Sequence, residues 1–269
     1  MAFIQINIMS ESLLRNVNIN AIIPVDSDPL QRSSDLIIPE NTEKYPALYL
    51  LHGIFGNQND WGNMTLIHRL AEKKKIAVIM PSGDNKFYID HPETHDYYGS
   101  FIGEELVDIT RKLFPISLEK QNTFIGGLSM GGYGALRNGL KYHNTFGAVA
   151  GLSTANFVDM DIERSEPIND SFLTAIFGNL EEAKYNDLSI DYLIRKNAEQ
   201  NYNDQKIYLA CGNDDVLFNG SERMCNLFKR MGYDITFEYG PGGHDWDFWN
   251  TYVQCMIDWL PIDGLDKPR

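Results

Sequence analysis

Apolar and polar residues alternate over FIQINI (3–8) and again over VNINAII (17–23), which ends at Pro24. This period of two is the mark of strands with one face on a core, and it predicts an antiparallel start to a sheet. The stretch from Asp26 to Tyr45 is polar, holds Pro29 and Pro39, and reads as loop. The pattern then changes. ALYLLHG (47–53), IAVIMPSG (76–83), TFIGGL (123–128), FGAVAGLS (146–153) and KIYLACG (206–212) are nearly continuous apolar runs. Such runs suit central strands covered on both faces. ITFEYG adds a strand before the last helix.

Helical stripes lie between the runs. Ile102, Leu106, Ile109 and Leu113 share one face of a predicted helix, with Glu104 and Glu105 in its first turn and Arg111 and Lys112 in its last. Met224, Leu227, Phe228 and Met231 form a second stripe, closed by Gly232. Trp249, Tyr252, Val253, Met256 and Leu260 form a third, closed by Pro261. Strands alternating with helices predict an α/β fold with a mostly parallel central sheet and helices on both faces. No repeat or linker divides the chain, so residues 1–269 are expected to form a single domain. Residues 153–204 hold short helical patterns (FLTAIFG, DLSIDYLIRKN) and no strand-like run. They are expected to be a helical insertion, either an elaborated crossover or a lid over a cleft.

Charge narrows the partners. The net charge of -14 and pI near 4.8 disfavour nucleic acid and anionic membranes, both of which select basic surfaces. No apolar run reaches the ~20 residues that cross a bilayer. The start, MAFIQINIMSES, lacks the basic and apolar regions of a secretory signal, so a cytoplasmic location is expected. Cys211, Cys225 and Cys255 form no CxxC pair and are expected to be reduced thiols.

The chemistry concentrates in GGLSMGGYGAL (126–136), where five glycines surround Ser129. Gly127-Leu128-Ser129-Met130-Gly131 is a G-x-S-x-G motif between an apolar strand and a helix expected from Gly132 to about Tyr142. That context is a nucleophile elbow, in which small residues let strand and helix approach while the serine is pushed out of the sheet. Serine needs a base, and in such folds the acid and then the histidine follow it in the chain. Of six histidines (52, 68, 91, 95, 143, 244), only His244 lies beyond Asn213-Asp214-Asp215 at the end of KIYLACG. Asp214 and Asp215 compete for the acid, and the residues alone do not separate them. Met130, next after the nucleophile, supplies one oxyanion amide. The glycine turn in LHGIFGNQNDW (51–61) supplies the second, assigned to Ile54 with Phe55 as the alternative. His52 is expected to be a structural hydrogen-bonder. Phe55 and Trp61 are candidate substrate contacts, as are Phe87, Tyr88, Tyr97 and Tyr98. DHPETHD (90–96) pairs two histidines four apart, but Pro92 disfavours a helix, so a loop rather than a metal site is expected.

LHGIFGNQNDW, GLSMGGYGAL, CGNDD and GGHDWDFW, in this order, resemble the esterase family that contains tributyrin esterase, esterase D (S-formylglutathione hydrolase) and carbohydrate esterase family 1 with its feruloyl esterases. The resemblance implies an α/β-hydrolase fold and carboxylic ester hydrolysis without a cofactor or metal. The family pattern places the triad on Ser129, Asp215 and His244 and the oxyanion amides on Ile54 and Met130. The expected activity is that of a serine carboxylesterase acting on short-chain acyl esters, with acetyl or feruloyl esters of plant carbohydrates as candidate substrates. A thioesterase of the S-formylglutathione hydrolase kind, an acyltransferase and a non-catalytic binding protein are the rivals. The resemblance also admits a homo-oligomer.

Overall fold

A computed structural model of the chain describes residues 1–25, 44–160 and 167–262. The strands are β1 (Ala2–Ser10), β2 (Arg15–Ile23), β3 (Ala47–Leu51), β4 (Ala77–Pro81), a short hairpin β5 (Asp90–His91) and β6 (Asp96–Tyr97), β7 (Thr123–Leu128), β8 (Ala148–Leu152), β9 (Lys206–Gly212) and β10 (Asp234–Gly240). All but the short hairpin join one eight-stranded sheet, in the order β1-β2-β4-β3-β7-β8-β9-β10. The β1–β2 hairpin is antiparallel, with Ala2 opposite Ile23 and Ser10 opposite Arg15, and β2 runs antiparallel to β4. Every pairing from β4 to β10 is parallel. The loop expected from Asp26 to Tyr45 falls almost wholly on residues 26–43, outside the described residues.

Continuous apolar runs occur because both faces of the sheet are covered. Tyr49, Leu51, Ile125, Val149 and Leu209 point into one core, and Leu48, Leu50, Phe124, Ala150 and Ala210 into the other. The helices are α1 (Asp60–Met64), α2 (Ile67–Lys74), α3 (Tyr98–Ser100), α4 (Leu106–Leu113), α5 (Met130–Lys141), α6 (Asp170–Phe177), α7 (Leu180–Ala183), α8 (Ile190–Glu199), α9 (Phe218–Arg230) and α10 (Trp246–Trp259). Residues of α2 and α10 belong to the second core, and residues of α5, α8 and α9 to the first.

One helical stripe departs from its expected form. Residues Phe101–Glu105 form a π-turn ahead of α4, and the buried positions become Ile102, Leu106, Val107 and Thr110. Leu113, expected on the core face, is exposed. A π-turn adds a residue to one turn and so rotates everything after it. Two contacts hold it there. Gly103 lies against the Tyr142 ring, where a Cβ would collide. Glu105 accepts hydrogen bonds from the Ser10 hydroxyl (2.8 Å) and the Glu11 and Ser12 amides (2.7 and 3.0 Å), fastening the β1–β2 turn.

Within 153–204, where a helical insertion is expected, residues 161–166 lie outside the described set. Its later part is bolted to α5. The Tyr133 hydroxyl donates to the Leu188 carbonyl (2.6 Å), Arg137 Nε to the Asp187 carbonyl (3.0 Å), and the Asn197 amide to the Leu140 carbonyl (2.8 Å).

Candidate active site

Ser129 sits between β7 and α5 with φ 52° and ψ -117°, a conformation costly for a residue with a Cβ. The surroundings enforce it. The Ser129 amide donates to the Leu152 carbonyl (2.9 Å), and its own carbonyl accepts from Tyr133 (3.0 Å) and Ala155 (3.1 Å). A Cβ on Gly127 would strike the Gly131 carbonyl, and one on Gly131 would strike the Leu51 and His52 carbonyls. The two glycines therefore permit the close crossing that presents the serine.

The acid and the histidine arrive on loops tied to each other by backbone. Asn213 N–H donates to the Gly240 carbonyl (2.8 Å) and Asp214 N–H to the Gly242 carbonyl (3.0 Å). His244 is thereby held with Nε2 2.9 Å from Ser129 Oγ and Nδ1 2.9 Å from Asp215 Oδ2. This arrangement suits a tautomer that donates from Nδ1 to the carboxylate and accepts the serine proton at Nε2. Asp214 is exposed and contributes only its backbone. Asp215 is 5% exposed, and its second oxygen accepts from the Leu217 amide (2.9 Å). Burial alone would raise the Asp215 carboxyl, but hydrogen bonds from His244, Leu217 and Ser153 outweigh it and hold the group below its ordinary value.

The structure also brings in residues that the motifs did not mark. Ser153 ends the β8 run, fully buried at φ 46°, and its Oγ accepts a hydrogen bond from the indole N–H of Trp249 (3.1 Å). The Trp249 ring stands edge-on to His244, centroids 5.0 Å apart at 87°. Ser153 thus links the acid to the aromatic wall behind the histidine. Trp246 packs edge-on to Trp249 (5.2 Å) and to Trp61 (5.6 Å). The only early signal for this wall was that both tryptophans lie in GGHDWDFW.

The turn after β3 is closed by Gly56 N–H donating to the Gly53 carbonyl (3.2 Å), with Phe55 at φ 65°. The Phe55 amide is occupied, donating to Asn85 Oδ1 (2.8 Å). The Ile54 amide has no acceptor among the described residues, and Met130 opens α5, where N–H groups lack helical partners. Both residues line the same cavity as Ser129 and His244. His52 is a buried structural group. Its Nδ1 bonds the Gly53 carbonyl (2.7 Å), its Nε2 accepts from Gly83 N–H (2.9 Å), and burial lowers its pKa.

The cavity, about 450 Å³, opens over Ser129 between the turn after β3, residues Phe157, Pro167 and Ile168, and the Trp246–Trp249 wall. Phe55 is on its rim, 66% exposed. Trp61 requires a correction. It is 1% exposed and does not line the cavity, because its indole N–H is spent on the Leu51 carbonyl (3.0 Å) beneath the turn. Of the other aromatic candidates, Phe87 lines the cavity, while Tyr88, Tyr97 and Tyr98 do not. His91 and His95 flank a single 3₁₀ turn between β5 and β6, and His95 packs on Tyr97. Among the described residues no group of three His, Cys, Asp or Glu side chains could hold a metal ion.

Residues 27–256 match the model of the family described as "Putative esterase". The chain belongs to this esterase family. It is 40% identical over 265 residues to an acetyl esterase of Caldicellulosiruptor saccharolyticus, covering 97% of this chain and 98% of that protein. Among solved structures it is similar to the S-formylglutathione hydrolase FrmB of Staphylococcus aureus, with a TM-score of 0.80 and 29% identity over 96% of this chain and 98% of that one. A ferulic acid esterase shares the fold, with a TM-score of 0.77 and 20% identity over 97% of each chain. The esterase is thus an α/β-hydrolase in fold and a carboxylic ester hydrolase in activity.

Proposed function

We propose that this esterase is a serine carboxylesterase that cleaves short-chain acyl esters through a Ser129–His244–Asp215 triad and an acyl-enzyme. The observation that carries the reading is the hydrogen-bonded series Ser129 Oγ, His244 Nε2, His244 Nδ1 and Asp215 Oδ2, with 2.9 Å at each link. In the first step Ser129 Oγ attacks the ester carbonyl as its proton passes to His244 Nε2. Asp215 orients the imidazole and supports the imidazolium. The Ile54 and Met130 amides receive the oxyanion, each contributing about 10²–10³ in rate. His244 then protonates the leaving alcohol, and water, deprotonated by the same nitrogen, releases the acid.

The acetyl esterase relative favours small acyl groups. The aromatic cavity also suits a feruloyl group, and we place the preference at acetyl or feruloyl esters of carbohydrates. The S-formylglutathione hydrolase neighbour keeps a thioesterase as the second reading. Glutathione carries two carboxylates, and no described residue lining the cavity is Lys or Arg, which favours the oxygen ester. The insertion 153–204 is proposed as the lid of the cleft. The test is an assay of the wild type and Ser129→Ala against p-nitrophenyl acetate, butyrate and octanoate, methyl ferulate and S-formylglutathione. Loss of the nucleophile is expected to remove up to about 10⁶ in turnover. Near wild-type rates in the variant would overturn the triad assignment.

A further inference from the structure

The cavity wall is apolar but for His244, Ser129 and one carboxylate, that of Asp60. Asp60 opens the short helix α1, and its Oδ2 lies against Gly56 at the back of the oxyanion turn, where a Cβ on Gly56 would take its place. Among the described residues its carboxylate makes no hydrogen bond and no ion pair, although it lines the cavity. By contrast, three carboxylates close to this turn and to the triad are committed, and that of Asp214 faces water. Asp215 is bonded to His244, Asp84 accepts from Tyr98 and Arg15, and Asp245 caps α10 through the Phe248 amide. Asp60 is half-buried, so its carboxylate can be reached by a ligand in the cavity and is free to accept a hydrogen bond from it. No cation lines the cavity to offset its field.

We infer that Asp60 is the specificity determinant of this cleft: it accepts a hydrogen bond from a hydroxyl of the bound ester, and it rejects anionic esters. This rests on the esterase reading above and narrows it to neutral, hydroxyl-bearing substrates such as partly acylated sugars. A sugar acetate supplies hydroxyl donors beside the ester. An ester bearing a carboxylate would bring like charges together beside a largely apolar wall, where they interact more strongly than in bulk water.

Three acetate esters of one shape isolate the charge: 4-acetoxybenzoate (anionic), its methyl ester (neutral) and acetoxyphenyl-trimethylammonium (cationic). The ratio of kcat/KM values is read, so that overall activity and leaving-group reactivity cancel between proteins. Relative to wild type, Asp60→Asn is expected to reduce the preference for neutral over anionic ester by about tenfold. The same variant should lower kcat/KM for a monoacetylated methyl glucoside, relative to phenyl acetate, by about 10- to 100-fold. Asp60→Glu, which keeps the charge, should keep the charge ratio. A second arm needs no variant: in wild type, raising the salt from about 20 mM to about 500 mM should speed the anionic ester and leave the neutral one unaffected. Ratios unchanged in Asp60→Asn, or a salt-insensitive anionic ester, overturn the assignment of Asp60 while Ser129-dependent hydrolysis of the neutral acetate persists. Absence of that Ser129-dependent hydrolysis overturns the esterase reading itself, and the inference with it.

Discussion

Asp214 and Asp215 are neighbours in the chain and opposites in environment. One carboxylate faces water, and the other is buried under His244 with hydrogen bonds from His244, Leu217 and Ser153. Asp215→Asn is therefore expected to lower kcat by about 10⁴ by favouring the wrong imidazole tautomer. Asp214→Asn should leave kcat close to wild type, and steady-state rates on p-nitrophenyl acetate check both. Ser153 acts one step behind. Losing its hydroxyl removes one of the bonds that hold the Asp215 carboxyl low, so Ser153→Ala should move the acid-unfolding midpoint to higher pH. Far-UV circular dichroism across an acid titration reads this. At this scale the sequence was informative about order and motif and silent about direction. The Ser, acid, His order singled out His244, but which of two adjacent aspartates turns inward depends on the Asp215 amide reaching back to the Gly212 carbonyl (3.1 Å). Trp61 misled for the same reason: a loop aromatic next to a catalytic turn can face into the fold as easily as into the cleft.

The elbow is an element before it is a residue. Its glycines were legible because nothing else explains five of them around a strand end. Gly131→Ala would drive a methyl into the Leu51 and His52 carbonyls, which cannot move without shifting β3. A loss of about 1–3 kcal/mol is expected, with a fall in activity as the proposed oxyanion turn after β3 is displaced, measured by urea unfolding alongside the ester assay. The continuous apolar runs were equally legible, since burial of both faces leaves no polar position to mislead. The π-turn was not. A stripe at Ile102, Leu106, Ile109 and Leu113 fits an ordinary helix, and only the distant partners Tyr142 and Ser10 select the extra residue.

Across the whole molecule the cleft gathers walls from four parts of the chain: the turn after β3, the elbow, the insertion and the loop that carries His244. No local pattern encodes such an assembly, which is why Ser129, Asp215 and His244 could be picked out as candidates from motifs while most of the cavity lining could not. Two of the groups that tie these parts together titrate. His52, neutral and buried beneath the turn after β3, has a pKa below its ordinary 6.5. Its unfolded form binds protons more readily, so the stability linked to it is fully present above about 6.5 and is lost as pH falls from there. The Asp215 carboxyl, also below its ordinary 3.8, adds a loss at lower pH as it is protonated. Stability should therefore decline from pH 7.5 to 5.5 in wild type and decline less in His52→Asn, as denaturant midpoints at the two values would report. The edge-on contact of Trp249 with His244 makes one further property of the molecule readable. A protonated imidazole is an efficient quencher of indole emission, and three of the chain's four tryptophans stand in one series of ring contacts ending at that histidine. The charge state of the proposed base can thus be followed by light, without substrate, in the intrinsic fluorescence of the unmodified enzyme.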